Sequence, residues 1–219
     1  MRLVVLNPNT SAGATADMVA VAQEELAALG VAARVIGMTA PRGSPLIDNP
    51  GRLAVAADVV AGMVDLVTAQ RPDAVVLSAF GDPGLAALRA GLDVPVAALA
   101  ESALAEAAAI GGFAIVTSTP ALGSHLETLV VAAGVADRYR GILYTGGDIT
   151  ALLADPARLT EALAEACREA SERWRVDAVV IGGGPLARAG GGVRLPGVIV
   201  VDPVRAAVHQ VLRATGATS

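Results

Sequence analysis

The feature that most constrains the fold of this chain is a segment that occurs twice. Residues 71–81 read RPDAVVLSAFG, and residues 175–185 read RVDAVVIGGGP. The offset between the two copies is constant, since 175 − 71 = 104. Each copy is a β-branched apolar run that ends in small residues, which is typical of a buried strand leading into a loop. The repeat therefore predicts two similar halves.

Strand-like apolar runs alternate with alanine-rich stretches along the rest of the chain. The runs lie at residues 3–6, 33–36, 74–77, 94–97, 114–117, 142–144, 178–181 and 198–201. The stretches between them carry the 3.6-residue period of helices, and this alternation predicts parallel sheets with crossover helices. We predict an α/β fold of two pseudo-symmetric, flavodoxin-like lobes. Residues 1–100 with 205–219 would form the N-terminal lobe, and residues 101–204 the C-terminal lobe.

The ends of the repeated strands are the predicted location of a site. In open α/β sheets, ligands bind outside the carboxyl ends of the strands, so two equivalent ends facing one cleft would build a two-sided site. The first strand leads into residues 7–11, which read NPNTS. Their amides and hydroxyls, beside the free N–H groups of a helix start, suit a small carboxylate or carbonyl. The same residue types are also common helix caps.

Composition narrows the class of ligand and partner. Hydrophobic residues make up 54% of the chain, yet no run long enough to span a membrane is free of charge, Gly or Pro. The N-terminal apolar run is too short for a signal peptide, and we predict a cytoplasmic protein. A net charge of −5 with scattered basic residues argues against nucleic acid as a partner. Few aromatic residues and a single cysteine, Cys167, predict a small polar ligand, no metal and no cofactor.

Two local motifs predict features that do not depend on the repeat. Asp-Pro pairs begin at Asp82, Asp155 and Asp202, each before a helical stretch. Asp at the N-cap followed by Pro is a helix-start pattern, so we predict three helix caps. Residues 182–187 also fit the dinucleotide pattern G-x-G-x-x-A after a strand. That pattern needs a long following helix, and the glycines at 190–192 argue against one.

Further motifs carry a family resemblance. They read NPNTS at residues 7–11, FGDPGL at 80–85, ALAES at 98–102, FAIVTS at 113–118 and VVDPV at 200–204. In this order they resemble the aspartate/glutamate/hydantoin racemase superfamily, and are most similar to its hydantoin and allantoin racemase branch. The resemblance implies an Asp/Glu racemase-like fold with the site between two lobes. It also implies a small-molecule substrate, no cofactor and assembly into a homo-oligomer.

The resemblance implies a proton-transfer mechanism that this chain lacks the residues to perform. Racemases of this family use two cysteines, one from each lobe, to remove a proton from one face of a carbon and return one to the other. The matching positions here are Ala79 and Gly183, which the internal repeat also pairs, since 183 − 79 = 104. Neither side chain titrates, so a two-thiol relay is excluded.

The remaining candidates for catalysis are Asp48 and Ser78. The loop that ends at Asp48 is similar to a family loop that borders the site, and Ser78 precedes the first missing thiol. His125 and His209 are expected on helices as surface and packing residues, and Cys167 as a buried helix residue. The predicted substrate-binding residues are Asn7, Asn9, Thr10, Ser11, Ala79, Phe80, Thr117, Ser118, Gly183 and Gly184.

Three functions remain open from the sequence. The first is an enzyme that acts on a small polar carboxylate or cyclic ureide by a cysteine-independent route, as a lyase, decarboxylase or hydrolase. The second is a racemase of hydantoin- or amino-acid-like substrates with other proton carriers. The third is a ligand-binding homologue without activity. Exchange of a substrate hydrogen in D₂O, irreversible consumption of substrate, or binding alone would distinguish them.

Overall fold

The structure is a computed structural model, which describes residues 1–183 and 186–217. Two four-stranded parallel sheets form its centre. The strands of the first are β1 Arg2–Asn7, β2 Arg34–Thr39, β3 Ala74–Leu77 and β4 Val96–Ala98, in the order β2-β1-β3-β4. The strands of the second are β5 Phe113–Thr117, β6 Tyr139–Tyr144, β7 Ala178–Gly182 and β8 Ile199–Val201, in the order β6-β5-β7-β8. The two identical patterns confirm the predicted fold class.

Helices cover both faces of the two sheets. In the first half they are α1 Ala12–Ala28, α2 Pro50–Ala61, α3 Val64–Ala69 and α4 Leu85–Gly91. In the second they are α5 Leu99–Ile110, α6 Gly123–Ala132, α7 Ile149–Leu153, α8 Pro156–Trp174, α9 Ala187–Gly190 and α10 Pro203–Thr215. The dinucleotide pattern requires a long helix at this place, but α9 has only four residues. The interpretation of residues 182–187 as a dinucleotide site is therefore wrong.

The central strands are apolar because the helices bury them on both sides. Every residue of β3, β5 and β7 is buried, whereas the edge strands β2 and β6 are only half-buried. This is the expected pattern for parallel sheets. The last helix, α10, returns to pack against α1, β3 and β4, and also against α5. The predicted lobe boundary at residue 100 stays a prediction, because α5 contacts elements of both halves.

Two of the three predicted Asp-Pro helix caps are confirmed. Asp155 caps α8 and Asp202 caps α10, each accepting hydrogen bonds from backbone N–H groups of the first turn. The prediction for Asp82 is wrong. This residue has a left-handed backbone with φ 52°, and α4 begins only after Gly84. The Asp82 carboxylate instead accepts from the N–H groups of Ala100 and Glu101, at 2.9 and 2.8 Å, where α5 begins.

No helix in the described part of the chain is both long and apolar enough to cross a membrane.

Candidate functional site

A small cavity of about 40 Å³ lies where the carboxyl ends of the strands from both halves meet. Asn9 follows β1, Ser78–Phe80 follow β3, Thr117–Thr119 end β5, and Gly182–Gly183 end β7. Apolar side chains also line the cavity: Leu46, Ile47, Leu122, Ile149 and Leu186. A larger hollow of about 540 Å³ lies beside β8 and α10, but the polar strand ends do not line it. We therefore take the smaller cavity as the site.

The loop after β1 presents the Asn9 amide in a fixed orientation. Asn7 is fully buried, and its Nδ2 donates to Asn9 Oδ1 and to Thr15 Oγ1, both at 2.9 Å. Asn9 Oδ1 also accepts from the backbone N–H of Ser11 at 2.9 Å. Because its oxygen faces these donors, Asn9 Nδ2 is left for the cavity. Asn7 itself acts within the loop and does not line the cavity.

The loop after β5 supplies hydroxyl groups from the opposite half. Thr117 Oγ1 and Thr119 Oγ1 lie 3.1 Å apart, so one donates to the other and the second hydrogen is available. Ser118 Oγ accepts from the buried Thr145 Oγ1 at 2.8 Å. The Ser118 hydroxyl hydrogen therefore remains available as a donor. Sequence reasoning missed Thr145, which directly follows β6, as the predicted site residues follow other strands.

Backbone N–H groups add further donors on both sides. Within residues 1–183 and 186–217, the N–H groups of Ala79, Phe80, Ser118 and Thr119 donate to no protein acceptor. All four residues line the cavity. Ala79, Phe80 and Ser118 are buried, and Thr119 is half-buried. Because buried N–H groups are nearly always paired, these unpaired groups around one cavity indicate a place for a ligand oxygen or for water.

Ala79 and Gly183, the positions predicted to match the family's cysteines, both border the cavity, but they differ in the space around them. The Ala79 methyl group is buried at the cavity wall. At Gly183, an added Cβ would lie 2.9 Å from Cγ and Cδ1 of Leu186. Leu186 therefore occupies the space that a side chain at position 183 would need. One residue earlier, a Cβ on Gly182 would lie 2.7 Å from Cε1 of Phe80, which crosses over from the first half.

None of the described residues that line the cavity is ionisable. Asp48 lies outside it, and both of its carboxylate oxygens accept from Arg52 Nη1, at 2.8 and 2.9 Å. Ser78 lines the cavity, but its Oγ donates to the Leu6 carbonyl oxygen at 2.9 Å and has no base beside it among the described residues. The structure therefore supports neither residue as a proton carrier. Within the described chain, no group of three or more His, Cys, Asp or Glu side chains is placed to hold a metal ion.

The other predicted site residues separate into two groups. Asn9, Ser78, Ala79, Phe80, Thr117, Ser118 and Gly183 line the cavity. Thr10 and Ser11 do not: the Thr10 N–H donates to the Ser44 carbonyl, and Ser11 caps α1. Gly184 lies outside the described residues. The binding roles of the lining residues stay a prediction.

His125 lies between the two halves rather than on a helix surface alone. Its half-buried ring contacts the loop after β3, where Nε2 lies 2.8 Å from the Gly81 carbonyl oxygen. Cys167 is buried in α8, as predicted, and burial raises the pKa of its thiol to about 12. Neither residue lines the cavity.

Asp82 supports the loop that carries Ala79 and Phe80. Asp82 is half-buried, and desolvation of its carboxyl group raises the pKa to about 7, although the two backbone N–H groups of α5 act in the opposite direction. Because the Asp82 N–H also donates to the Ala79 carbonyl oxygen at 3.1 Å, this residue links the cavity wall to α5.

Comparisons of the sequence and of the structure with known proteins both find racemases. Residues 3–211 match a family model described as Asp/Glu/Hydantoin racemase. The hydantoin racemase of Paenarthrobacter aurescens is 32% identical over 210 residues, which cover 94% of this chain and 88% of that protein. The allantoin racemase from Klebsiella pneumoniae superposes with a TM-score of 0.90 at 30% identity, covering 100% of this chain and 90% of the other. The allantoin racemase from Pseudomonas fluorescens superposes with a TM-score of 0.84 at 28% identity, covering 99% of this chain and 92% of the other.

Proposed function

The chain belongs to the Asp/Glu/hydantoin racemase family, and we propose that it binds a hydantoin-type cyclic ureide between its lobes and exchanges the proton on the substituted ring carbon. One observation carries this proposal: uncharged hydrogen-bond donors from both halves line a single cavity. Relatives named as hydantoin and allantoin racemases support proton exchange over the cleavage reactions that the sequence put first.

The proposed chemistry uses the acidity of a carbon next to a carbonyl group. When the C–H bond breaks, its proton passes to water and its electron pair moves onto the carbonyl oxygen. Fixed donors such as Asn9 Nδ2, the Ser118 hydroxyl and the backbone N–H groups would stabilise that oxygen. A new C–H bond then forms with a proton from water on either face. Water carries the proton because none of the described lining side chains is ionisable.

The lobes have to separate before a ring can enter. The cavity of about 40 Å³ holds little more than water, whereas small-molecule sites enclose about 300–1,000 Å³. Closure around the ring would then exclude bulk solvent and strengthen the hydrogen bonds to the developing charge.

Binding without turnover is the second candidate. The absence of ionisable side chains among the described lining residues favours it, because side-chain acid–base catalysis contributes about 10²–10⁴-fold in rate. The two candidates agree on the ligand and differ in the fate of the ring hydrogen.

An exchange experiment separates these candidates. One enantiomer of 5-isobutylhydantoin is incubated in D₂O with and without the protein, and loss of the ring hydrogen is followed by NMR beside chiral chromatography. We expect both exchange and racemisation to exceed the spontaneous rate. Ser118→Ala should slow exchange by up to about 10²-fold, because one donor is lost, while Thr68→Val on the exposed face of α3 should not. Ligand-induced thermal stabilisation with exchange only at the spontaneous rate would leave binding as the function.

A further inference from the structure

A buried threonine that does not line the cavity is bonded to the hydroxyl group of Ser118, which does. Thr145 directly follows β6 and is buried. Its Oγ1 donates to Ser118 Oγ at 2.8 Å. Ser118 is buried as well, at the cavity. Any effect of the Thr145 hydroxyl on a bound ligand therefore passes through Ser118.

The second sheet brings these two residues together. Thr117 and Tyr144 are paired in the register of β5 and β6, so Ser118 and Thr145 are the next residues of the two strands. The Thr145 N–H donates to the Thr117 carbonyl at 3.0 Å, which continues the pairing by one residue. Because Thr145 is β-branched, its χ1 angle is restricted as well. The backbone therefore fixes the position from which Thr145 Oγ1 donates.

The bond from Thr145 leaves the Ser118 hydroxyl hydrogen without a protein acceptor. A hydroxyl group has one hydrogen to donate and two lone pairs that accept. In the described part of the chain, Ser118 Oγ accepts from Thr145 and donates to no protein atom. A buried donor without an acceptor is costly. Because Ser118 lines the cavity, an oxygen atom bound there can supply the missing acceptor.

We propose that Thr145 is a positioning residue for proton exchange: by donating to Ser118 Oγ, it directs the Ser118 hydroxyl hydrogen toward the ligand oxygen on which charge develops. The inference rests on the proposed function. The lone pair that Thr145 engages prevents the Ser118 hydrogen from pointing toward Thr145. A hydroxyl that already accepts a hydrogen bond is also a stronger donor, because hydrogen bonds in a chain polarise one another.

This arrangement should affect turnover more than binding. The carbonyl oxygen of the bound ring carries only a partial charge, whereas the oxygen of the enolate carries a much larger one. Hydrogen bonds to charged groups are the stronger ones. Stabilisation that appears as this charge develops raises the rate without tightening the binding of the ligand. A purely structural role for Thr145 would instead change binding and fold stability together.

The test removes the donor while keeping the shape of the side chain. We expect Thr145→Val to slow exchange of the ring hydrogen of 5-isobutylhydantoin in D₂O by about three- to tenfold, the range of one net hydrogen bond. The Kd of this ligand from isothermal titration should stay within about twofold of wild type. Thr145→Ser keeps the hydroxyl and should restore most of the rate. Thr128→Val, the same change on the exposed face of α6, should alter neither quantity.

A double-mutant cycle tests the route through Ser118. In the Ser118→Ala background the acting hydroxyl is absent, so Thr145→Val should cause little further loss of rate. An equal loss from Thr145→Val in both backgrounds would show that Thr145 acts by another route, and would overturn the inference. If Thr145→Val does not fold, Thr145→Ala takes its place in the same cycle.

The remaining outcomes separate this inference from the function beneath it. A folded Thr145→Val variant that exchanges at the wild-type rate would overturn the inference and leave the proposed function standing. A loss that appears in the Kd of the ligand rather than in the rate would do the same. Exchange by the wild-type protein only at the spontaneous rate would overturn both.

Discussion

At the scale of single residues, Ala79 and Gly183 are the positions at which we predict that this chain lacks the family's two cysteines. The internal repeat and the family motifs both point to this pair, and the pairing stays a prediction. The sequence did not reveal that Leu186 occupies the space beside Gly183. That contact accompanies a hydrogen bond from the Leu186 N–H to the Gly183 carbonyl, which holds Leu186 against a residue three positions earlier.

This packing determines how thiols can be introduced. We expect Ala79→Cys with Gly183→Cys to racemise 5-isobutylhydantoin poorly, because the side chain introduced at position 183 and that of Leu186 compete for the same space. Adding Leu186→Ala removes Cγ and Cδ1 and should raise the rate by at least about 10²-fold over wild type, the range of positioned acid–base groups.

Chiral chromatography measures the rates, and thiol titration verifies that both introduced cysteines are free. The matched control is Ala79→Cys with Leu186→Ala, which has one introduced thiol and should show no such gain. A folded triple variant with two titratable introduced thiols and wild-type rates would contradict the assignment of these positions.

At the scale of elements, the Asp-Pro pairs show the limit of local patterns. Asp155 and Asp202 cap the helices that follow them, so neighbouring residues contain all the information needed. Asp82 caps α5, where its partners lie 18 and 19 positions further along the chain. Its left-handed backbone turns the carboxylate away from α4, and no local pattern specifies that long-range contact. The strands, by contrast, could be located from the sequence, because their burial follows directly from their apolar residues.

The desolvated carboxyl group of Asp82 predicts a pH-dependent stability. Burial raises the pKa of Asp82 from 3.8 to about 7, so the folded state holds this proton more tightly than the unfolded state. The resulting stability is fully present below about pH 4 and is lost as pH rises toward 7. Each unit of pKa difference corresponds to about 1.4 kcal/mol.

Urea unfolding between about pH 4.5 and 8 measures this effect. We expect the free energy of unfolding of wild type, minus that of Asp82→Asn, to fall by a few kcal/mol across this range. Asp155→Asn, which alters a more exposed helix cap, serves as the matched control and should show no comparable decline. A difference between wild type and Asp82→Asn that rises with pH would mean that the carboxylate is stabilised rather than disfavoured by its surroundings.

At the scale of the whole molecule, the repeat predicted two halves but not how they are held together. The halves contact each other through His125 with the Gly81 carbonyl and through Arg188 with Asp17. These contacts join residues 44 and 171 positions apart, and of the four residues only Gly81 belongs to a recognisable motif. The apolar lining of the cavity is similar: Leu46 precedes α2 and Ile149 begins α7, so no sequence pattern indicates that they line one cavity.

The last helix, α10, packs against elements that are distant in sequence, and His209 contacts two of them. The ring Nδ1 lies 2.9 Å from Glu106 Oε2 in α5, and Nε2 lies 2.8 Å from Glu25 Oε1 in α1. Only the doubly protonated ring donates to both carboxylates. The hydrogen bond to Glu106 raises the pKa of His209, partial burial lowers it, and the bond to Glu25 raises it further, so that the net shift is upward.

The direction of this shift fixes the expected pH dependence. The stability that His209 contributes is fully present below its unfolded pKa of about 6.5 and is lost as pH rises through the higher folded pKa. We therefore expect His209→Gln to lower the free energy of unfolding by about 1–2 kcal/mol at pH 6, typical of a charged hydrogen bond, and by less at pH 9. Arg213→Gln, on the same helix, should show no such trend. A deficit of His209→Gln that is equal at both pH values would mean that packing, rather than the charged pair of hydrogen bonds, holds α10 against α1 and α5.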